Sequence, residues 1–177
     1  MKHLILDKID FTKNKLLSKL ESYLSNIKNV DTIVFDIHNT IEYNDKEIDS
    51  VLFKFIKANY KKVNIILLSY DGNDERIEHN NNLLDNYSDI FKDIPKIFIK
   101  KRKKHYIIGY IAKLLKNKYS SYKNIIFVDD NYMNITDAKK LITRIERFQI
   151  IHYTAHTKRK SPEGIDNIEN ILNRFSN

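Results

Sequence analysis

The sequence predicts an α/β fold, a three-layer sandwich in which helices flank a mainly parallel sheet of five strands. The first observation is a set of short, almost wholly apolar runs, which are typical of strands buried on both faces. The second is that helical patterns separate most of these runs, as in sheets built from strand–helix–strand units. The runs are Thr32–Phe35, Val63–Leu68, Lys96–Ile99, Asn124–Val128 and Phe148–Tyr153.

Three other segments repeat apolar residues at helical spacing. Ile48–Lys61 and Tyr106–Lys118 lie between predicted strands and would supply helices of the sandwich. An amphipathic helix over Phe11–Ile27 precedes the first run, and we expect it to pack on the sheet or to cap one of its edges. We therefore divide the chain into an N-terminal helical extension, residues 1–30, and one α/β domain, residues 31–177.

The composition excludes several classes of protein. With 177 residues, of which 42% are hydrophobic and 31% charged, the chain has the make-up of one globular domain. It contains no cysteine, which rules out disulfides, thiolate metal sites and a cysteine nucleophile. No run approaches the roughly 18 apolar residues of a membrane span, and no signal-peptide core is recognisable. We expect a cytoplasmic protein in a reducing compartment.

The net charge is +8, and part of it is concentrated in two basic blocks. One block consists of Lys100, Lys101, Arg102, Lys103 and Lys104, followed by His105, and the other is Lys158–Lys160. A solvated loop in a lysine-rich protein would account for either block. The alternative is an electropositive rim that attracts polyanions such as nucleic acid, and charge alone does not separate the two interpretations.

Polar and reactive residues follow four of the predicted strands. Residues Asp36–Thr40 follow the run that ends at Phe35, and Ser69 follows the run that ends at Leu68. The lysines of the first basic block follow the run that ends at Ile99, and Asp129–Asn131 follow the run that ends at Val128. In α/β sheets, ligands bind beyond the carboxyl ends of the strands. Asp, Asn and Thr also bond readily to nearby backbone, so turns and helix caps are the alternative interpretation of each piece. The coincidence of all four ends favours a shared site.

With these motifs the chain resembles the haloacid dehalogenase (HAD) superfamily of phosphotransferases. The family's first motif is an apolar strand followed by Asp-x-Asp-x-Thr, and residues 33–41 read IVFDIHNTI. Its second is a strand ending in Ser or Thr, as in VNIILLS at residues 63–69. The third motif is a lysine at the start of a helix, as in KKHYIIGYIAKLL at residues 103–115. The fourth motif is a pair of acidic residues after a strand, as in NIIFVDDNYMNI at residues 124–135. The resemblance implies a HAD-like, Rossmannoid version of the predicted sandwich.

The resemblance also implies a nucleophile and a metal. Asp36 would attack phosphorus and form an aspartyl-phosphate, which divides one difficult displacement into two easier ones. A Mg²⁺ ion would lie between the like charges of the carboxylate and the phosphate. Its ligands would be Asp36, the backbone carbonyl of His38 and an acid of the pair Asp129 and Asp130. We favour Asp130 as the direct ligand, with Asp129 or Asn134 in support.

The remaining catalytic roles follow from the same resemblance. Thr40 and Ser69 would hydrogen-bond the nucleophile's loop and the phosphoryl oxygens. A lysine would balance the charge on the transferred group. Lys104 fits this role best because the apolar residues that follow it then fall on the buried face of the helix, and Lys103 is a close alternative.

The sequence departs from the family at His38, where family phosphatases carry a second aspartate that serves as general acid and base. Histidine can transfer protons near neutral pH, but it is longer, and it is cationic when protonated.

Neither of the positions where the family inserts a cap domain has room for one. We therefore expect an open site for a macromolecular phosphoester, either a nucleic-acid end or a phosphoprotein. The alternative is a catalytically impaired HAD-fold protein that binds nucleic acid or protein.

Overall fold

The computed structural model describes residues 3–101, 103–119 and 124–157. The strands are β1 (Leu4–Leu6), β2 (Thr32–Phe35), β3 (Glu42–Tyr43), β4 (Glu47–Ile48), β5 (Asn64–Tyr70), β6 (Lys96–Ile99), β7 (Ile125–Asp129) and β8 (Phe148–His152). The α-helices are α1 (Lys13–Tyr23), α2 (Ser50–Asn59), α3 (Asp74–Tyr87), α4 (Ile90–Asp93), α5 (Lys104–Tyr119) and α6 (Tyr132–Ala138). Within these ranges no helix is both long enough and apolar enough to cross a membrane.

Six strands form one sheet in the order β1-β6-β5-β2-β7-β8, and all its neighbouring strands run parallel. The prediction of an α/β fold with a mainly parallel sheet is thus confirmed. The predicted count of five strands is wrong, because β1 adds a sixth at the edge, beside β6. Strands β3 and β4 form a separate antiparallel hairpin.

The missing strand lies in the N-terminal segment, where only a helix was predicted. Strand β1 has three residues and pairs with β6 from Leu4 opposite Ile97 to Leu6 opposite Ile99. Three residues are too few to reveal a period, so the sequence pattern did not separate them from a loop. The helix is shorter than the predicted Phe11–Ile27, but its Leu16 and Leu20 are buried against the sheet. The division of the chain at residue 30 stays a prediction.

Helices cover both faces of the sheet and make three layers. Helices α1, α5 and α6 cover one face of the sheet, where their apolar side chains pack against Val34 of β2 and its neighbours. Helices α2, α3 and α4 pack on the other face, together with Ile33 and Phe35. Successive residues of a strand point to opposite faces, so a strand covered on both sides must be apolar throughout. This is the physical origin of the apolar runs in the sequence.

Strand β2 lies inside the sheet, between β5 and β7. Its last residue, Phe35, is opposite Leu67 of β5 and Val128 of β7, so β7 ends one residue beyond β2 and β5 three residues beyond it. After β2 the chain forms the β3–β4 hairpin, where Asn44 and Asp45 both have positive φ, as a type I′ turn requires. The hairpin and α2 fill the interval between Thr40 and Val63, where we expected a turn and one helix.

The contribution of β1 to the fold can be measured with Leu6→Ala. Leu6 is completely buried, so we expect the truncation to lower the free energy of unfolding by about 2–5 kcal/mol, the range for a buried leucine. The matched control is Ile9→Ala three residues later, where the side chain is 72% exposed. It should change stability by less than about 0.5 kcal/mol. Urea unfolding followed by circular dichroism measures both, and equal effects would contradict the assignment of β1 to the sheet.

Candidate active site at the carboxyl edge of the sheet

The ends of β2, β5 and β7 bring the sequence-predicted residues to one place. Asp36 directly follows β2, and its N–H donates to the carbonyl of Val128 in β7 at 2.8 Å. A pocket of about 470 Å³ opens at this edge. The predicted residues that line it are Asp36, His38, Ser69, Lys104, Asp130 and Asn134. Thr40 is also at this end of β2, but it is buried and does not line the pocket.

Lys104 is the cation at the centre of the site. It is the first residue of α5, and only 3% of its surface is exposed. Its Nζ donates to Asp36 Oδ1 at 2.5 Å and to Asp129 Oδ2 at 2.7 Å. The neighbouring Lys103 instead places its Nζ over the ring of Tyr106, 5.0 Å from the centroid. Of the two lysines that the sequence left as alternatives, Lys104 is the one in contact with the carboxylates.

Asp129 is held on both of its oxygens. Besides Lys104, it accepts the Asn134 amide at 3.2 Å on Oδ1 and 3.1 Å on Oδ2, and the Asn131 N–H at 2.8 Å on Oδ1. The N-cap of α6 is Asn131, whose Oδ1 accepts the N–H of Met133. The acid pair therefore does not serve as the cap of this helix. Asp130 is half-buried and faces the pocket, whereas Asp129 is fully buried beneath it.

The electrostatics of the site show an excess of negative charge. Burial, and then the charge of Asp129, raise the pKa of Asp36 well above its usual range, against the opposing effect of Lys104. Burial and Asp129 likewise raise the pKa of Asp130. Burial would lower the pKa of Lys104, but the charges of Asp36 and Asp129 outweigh it, and the pKa is raised. One ammonium group faces three carboxyl groups, so a second cation would relieve the repulsion that remains.

The three carboxylates meet the geometric requirement of such a cation. One oxygen from each of Asp36, Asp129 and Asp130 lies within 4.8 Å of the other two. Two ligands on opposite sides of a Mg²⁺ ion are about 4.2 Å apart, twice its bond length to oxygen. Oxygen atoms are also the ligands that this ion prefers. The residues present therefore fit a hard divalent cation.

His38 lines the same pocket as Lys104 and has two charged neighbours. Its Nδ1 is 2.9 Å from Oε2 of Glu42, which is completely buried, and its Nε2 is 2.9 Å from Nη2 of Arg76. The hydrogen bond to Glu42 raises the pKa of His38, while burial and the charge of Arg76 oppose the rise. Because a guanidinium group only donates hydrogen bonds, Nε2 must release Arg76 before it can carry a proton.

Glu42 and Arg76 were not identified in the sequence analysis. Arg76 lines the pocket and also lies near the carboxylates of Asp71 at 3.6 Å and Asp45 at 3.8 Å. It belongs to the first turn of α3, which begins at the same sheet edge after β5 with Asn73 as its N-cap. The cap signal NDE was visible in the sequence and would have placed Arg76 near the site. Glu42 had no such signal, since its contact with His38 depends on the shape of the β3–β4 hairpin.

The basic block beside the site is partly compensated. The Nζ of Lys100 lies 2.8 Å from a carboxylate oxygen of Asp74, and the Nζ of Lys101 lies 5.7 Å from the ring centroid of Phe11. Arg102 and the second block, Lys158–Lys160, lie outside the described residues. The block therefore presents less unbalanced charge than its sequence suggests.

Comparison with known proteins reveals a similarity over the second half of the chain. A family model described as "Protein of unknown function (DUF2608)" matches residues 97–177, less than half of the chain. No curated protein and no solved structure gives a significant match. The matched region includes Lys104, Asp129 and Asp130, whereas Asp36 and Ser69 precede it. The description of this family names no activity, so the chemistry has to be argued from the site.

Removal of the Lys104 ammonium group tests how far the stability of the protein depends on this cation. Lys104→Met leaves Asp36 and Asp129 buried without their partner, and the loss of one partner of a buried ion pair costs about 3–5 kcal/mol. Lys103→Met is the matched control, because that ammonium group contacts an aromatic ring and no carboxylate of the site. Urea unfolding in metal-free buffer should give a large loss for the first variant and less than about 1 kcal/mol for the second. Similar losses in both would contradict the central role of Lys104.

Proposed function

We propose that this protein is a Mg²⁺-dependent phosphatase of the HAD type that hydrolyses a phosphomonoester through an aspartyl-phosphate on Asp36. The observation that carries the proposal is the buried contact of Lys104 with both Asp36 and Asp129, beside the half-exposed Asp130. A carboxylate nucleophile, a cation that balances charge and a set of oxygen ligands are the parts that such a reaction requires.

In the first step, an oxygen of Asp36 forms a bond to phosphorus while the ester P–O bond breaks and the leaving oxygen takes a proton. Lys104 keeps Asp36 oriented through Oδ1, which leaves Oδ2 for attack or for a metal. In the second step, water attacks the phosphorus of the aspartyl-phosphate and releases phosphate, which returns Asp36 to its free form. Ser69, at the end of β5, lines the same pocket and is suited to bind a phosphoryl oxygen.

The residues that would hold Mg²⁺ are Asp36, Asp130 and the backbone carbonyl of His38, with Asp129 behind them. When bound, the ion would reduce the repulsion between the carboxylates and the phosphate and polarise the phosphoryl oxygens. Asp129, which already accepts three hydrogen-bond donors, is better suited to orienting Lys104 and Asn134 than to ligating the ion itself.

His38 would serve as the proton donor and acceptor in place of the family's second aspartate. Glu42 orients its ring through Nδ1 and leaves Nε2 directed toward the pocket side, where Arg76 lies. An arriving phosphate is a stronger acceptor for a guanidinium group than a neutral imidazole is. We infer that substrate binding draws Arg76 onto the phosphate and frees Nε2 of His38 for proton transfer.

The second candidate function is a binding module with the same fold and little catalysis. The observation that favours it is the replacement of an acidic residue by His38, whose Nε2 is engaged by Arg76. In that case the pocket would hold a phosphate group of a nucleic acid or of a phosphoprotein without hydrolysing it. The two functions share every residue except the one that transfers protons, so activity measurements separate them.

The phosphatase proposal is tested by hydrolysis of an aryl phosphate with and without Mg²⁺. We expect turnover by the wild type that EDTA abolishes and Mg²⁺ restores, and a loss of about 10³-fold or more in Asp36→Asn, whose amide is not a nucleophile. Asp89→Asn is the control, because that carboxylate is 91% exposed and pairs with Lys92, away from the site. Turnover by Asp36→Asn equal to that of the wild type would exclude the aspartyl-phosphate.

The role of His38 is tested with two substitutions. His38→Ala should lower turnover by about 10²- to 10⁴-fold, the usual contribution of a general acid–base group. His38→Asp restores the family's residue and should preserve or raise turnover. Single-turnover measurements on both variants report the chemical step. Absence of turnover in the wild type and in His38→Asp alike would support the binding module instead.

A further inference from the structure

A second concave surface lies along α5, outside the pocket described above. It is a groove of about 610 Å³ between one side of α5, the start of α1 and the turn of 3-10 helix that follows α6. Tyr106, Gly109, Tyr110, Lys113 and Lys116 supply the α5 side, and their spacing of three and four residues places them on one face of the helix. Gly109, which has no side chain, leaves room at the middle of this face.

The groove is strongly basic. Its lining among the described residues includes four lysines and one arginine but no aspartate or glutamate. Lys140 pairs with Asp137, which lies beside the groove, with Nζ 2.6 Å from Oδ1. Within the described ranges, Lys113, Lys116 and Arg144 form no ion pair, and all three are exposed. Lys100 of the first basic block, by contrast, is paired with Asp74.

Two tyrosines add an apolar, planar component to the charge. Tyr106, near the N-terminus of α5, is 45% exposed, with the Nζ of Lys103 5.0 Å from its ring centroid, and Tyr110 is half-buried one turn later. Aromatic rings beside a basic groove are the arrangement by which proteins bind single-stranded nucleic acid, since unpaired bases stack on the rings while cations follow the phosphates. A duplex keeps its bases stacked inside and offers no such partner.

The groove and the candidate active site are both lined by the start of α5. Lys104 lines the pocket and His105 lines the groove, and the two are consecutive residues of the helix. From His105 to Lys116 the helix rises by roughly 16 Å, at 1.5 Å for each residue. A strand lying along the groove would thus have one end at the N-terminus of the helix whose first residue lines the pocket.

We propose that this groove binds a single strand of nucleic acid, with its phosphates against Lys113, Lys116 and Arg144 and a base against Tyr106. Delivery of a phosphorylated strand end to Asp36 follows from this binding and rests on the proposed phosphatase function. The binding itself does not, because none of these groove residues contacts the carboxylates of the site.

The test is fluorescence anisotropy with a labelled oligothymidylate of about ten nucleotides that carries no terminal phosphate. The wild type should bind it at about 50 mM salt and bind it much more weakly at about 200 mM, because each neutralised phosphate releases counterions. The triple variant Lys113→Ala, Lys116→Ala, Arg144→Ala should bind at least tenfold more weakly. The slope of log affinity against log salt should become shallower by about 2, at about 0.7 for each lost contact with a single strand.

The matched control is the triple variant Lys54→Ala, Lys57→Ala, Lys62→Ala, which removes the same charge from exposed positions in or just after α2, on the other face of the sheet. It should change affinity by less than about threefold if the groove is the binding surface. Equal losses in the two triple variants would mean that net charge alone attracts the strand, and would overturn the proposal. A lack of oligonucleotide binding by the wild type at low salt would also overturn the proposal. So would binding of a polyglutamate competitor with the same affinity as the oligonucleotide.

Tyr106→Leu separates base stacking from charge. It should weaken binding of the single strand about tenfold, the size of one lost stacking contact, and leave the salt slope unchanged. A duplex of the same length should bind more weakly than the single strand, and tighter duplex binding would contradict the role of the tyrosine.

Asp36→Asn should bind the oligonucleotide as the wild type does. Aryl phosphate hydrolysis without oligonucleotide binding would therefore overturn the groove proposal alone, and binding without hydrolysis would overturn only the phosphatase.

Discussion

The buried ion cluster of Lys104, Asp36 and Asp129 is the interaction on which the rest of the site depends. A lysine that is 3% exposed at the start of a helix must have its charge balanced, because an unpaired buried ammonium group would be strongly destabilising. Its two partners come from the ends of β2 and β7, so the cluster joins α5 to the centre of the sheet. Apolar residues of similar volume are often as stable as a buried ion pair, so stability alone does not account for these buried charges.

The position of Lys104 also determines which acid of the pair faces the pocket. The carboxylate of Asp129 accepts hydrogen bonds from Lys104, Asn131 and Asn134, so Asp130 is the acid that lines the pocket. Glu42 and Arg76 act on His38 in opposite directions, one favouring its protonated form and the other disfavouring it. The lining of the pocket thus includes two cations, the buried ammonium group of Lys104 and the exposed guanidinium group of Arg76. Both would attract a phosphate.

Helix α5 links this site to a larger surface. Its first residue completes the ion cluster, its buried face packs against the sheet, and its exposed face forms one wall of the basic groove. A single helix of 16 residues therefore carries both the lysine of the ion cluster and one wall of the groove.

The sequence by itself determined the buried strands and the place of the candidate site. A strand covered on both faces has to be apolar throughout, so β2, β5, β6 and β7 were visible as apolar runs, and parallel strands bring their carboxyl ends to one edge. Asp36, Ser69 and Asp130 could be located on that basis. Strand β1 could not, because three residues carry no recognisable period and its pairing with β6 depends on residues 93 positions away. Likewise, only the tertiary structure decided that Lys104 rather than Lys103 contacts the carboxylates, and that Glu42 and Arg76 lie on either side of His38. The contacts of Lys104 and of Arg76 join elements far apart in the chain, and the contact of His38 with Glu42, four residues later, depends on how the chain turns between them. The periodicity of a sequence encodes neither.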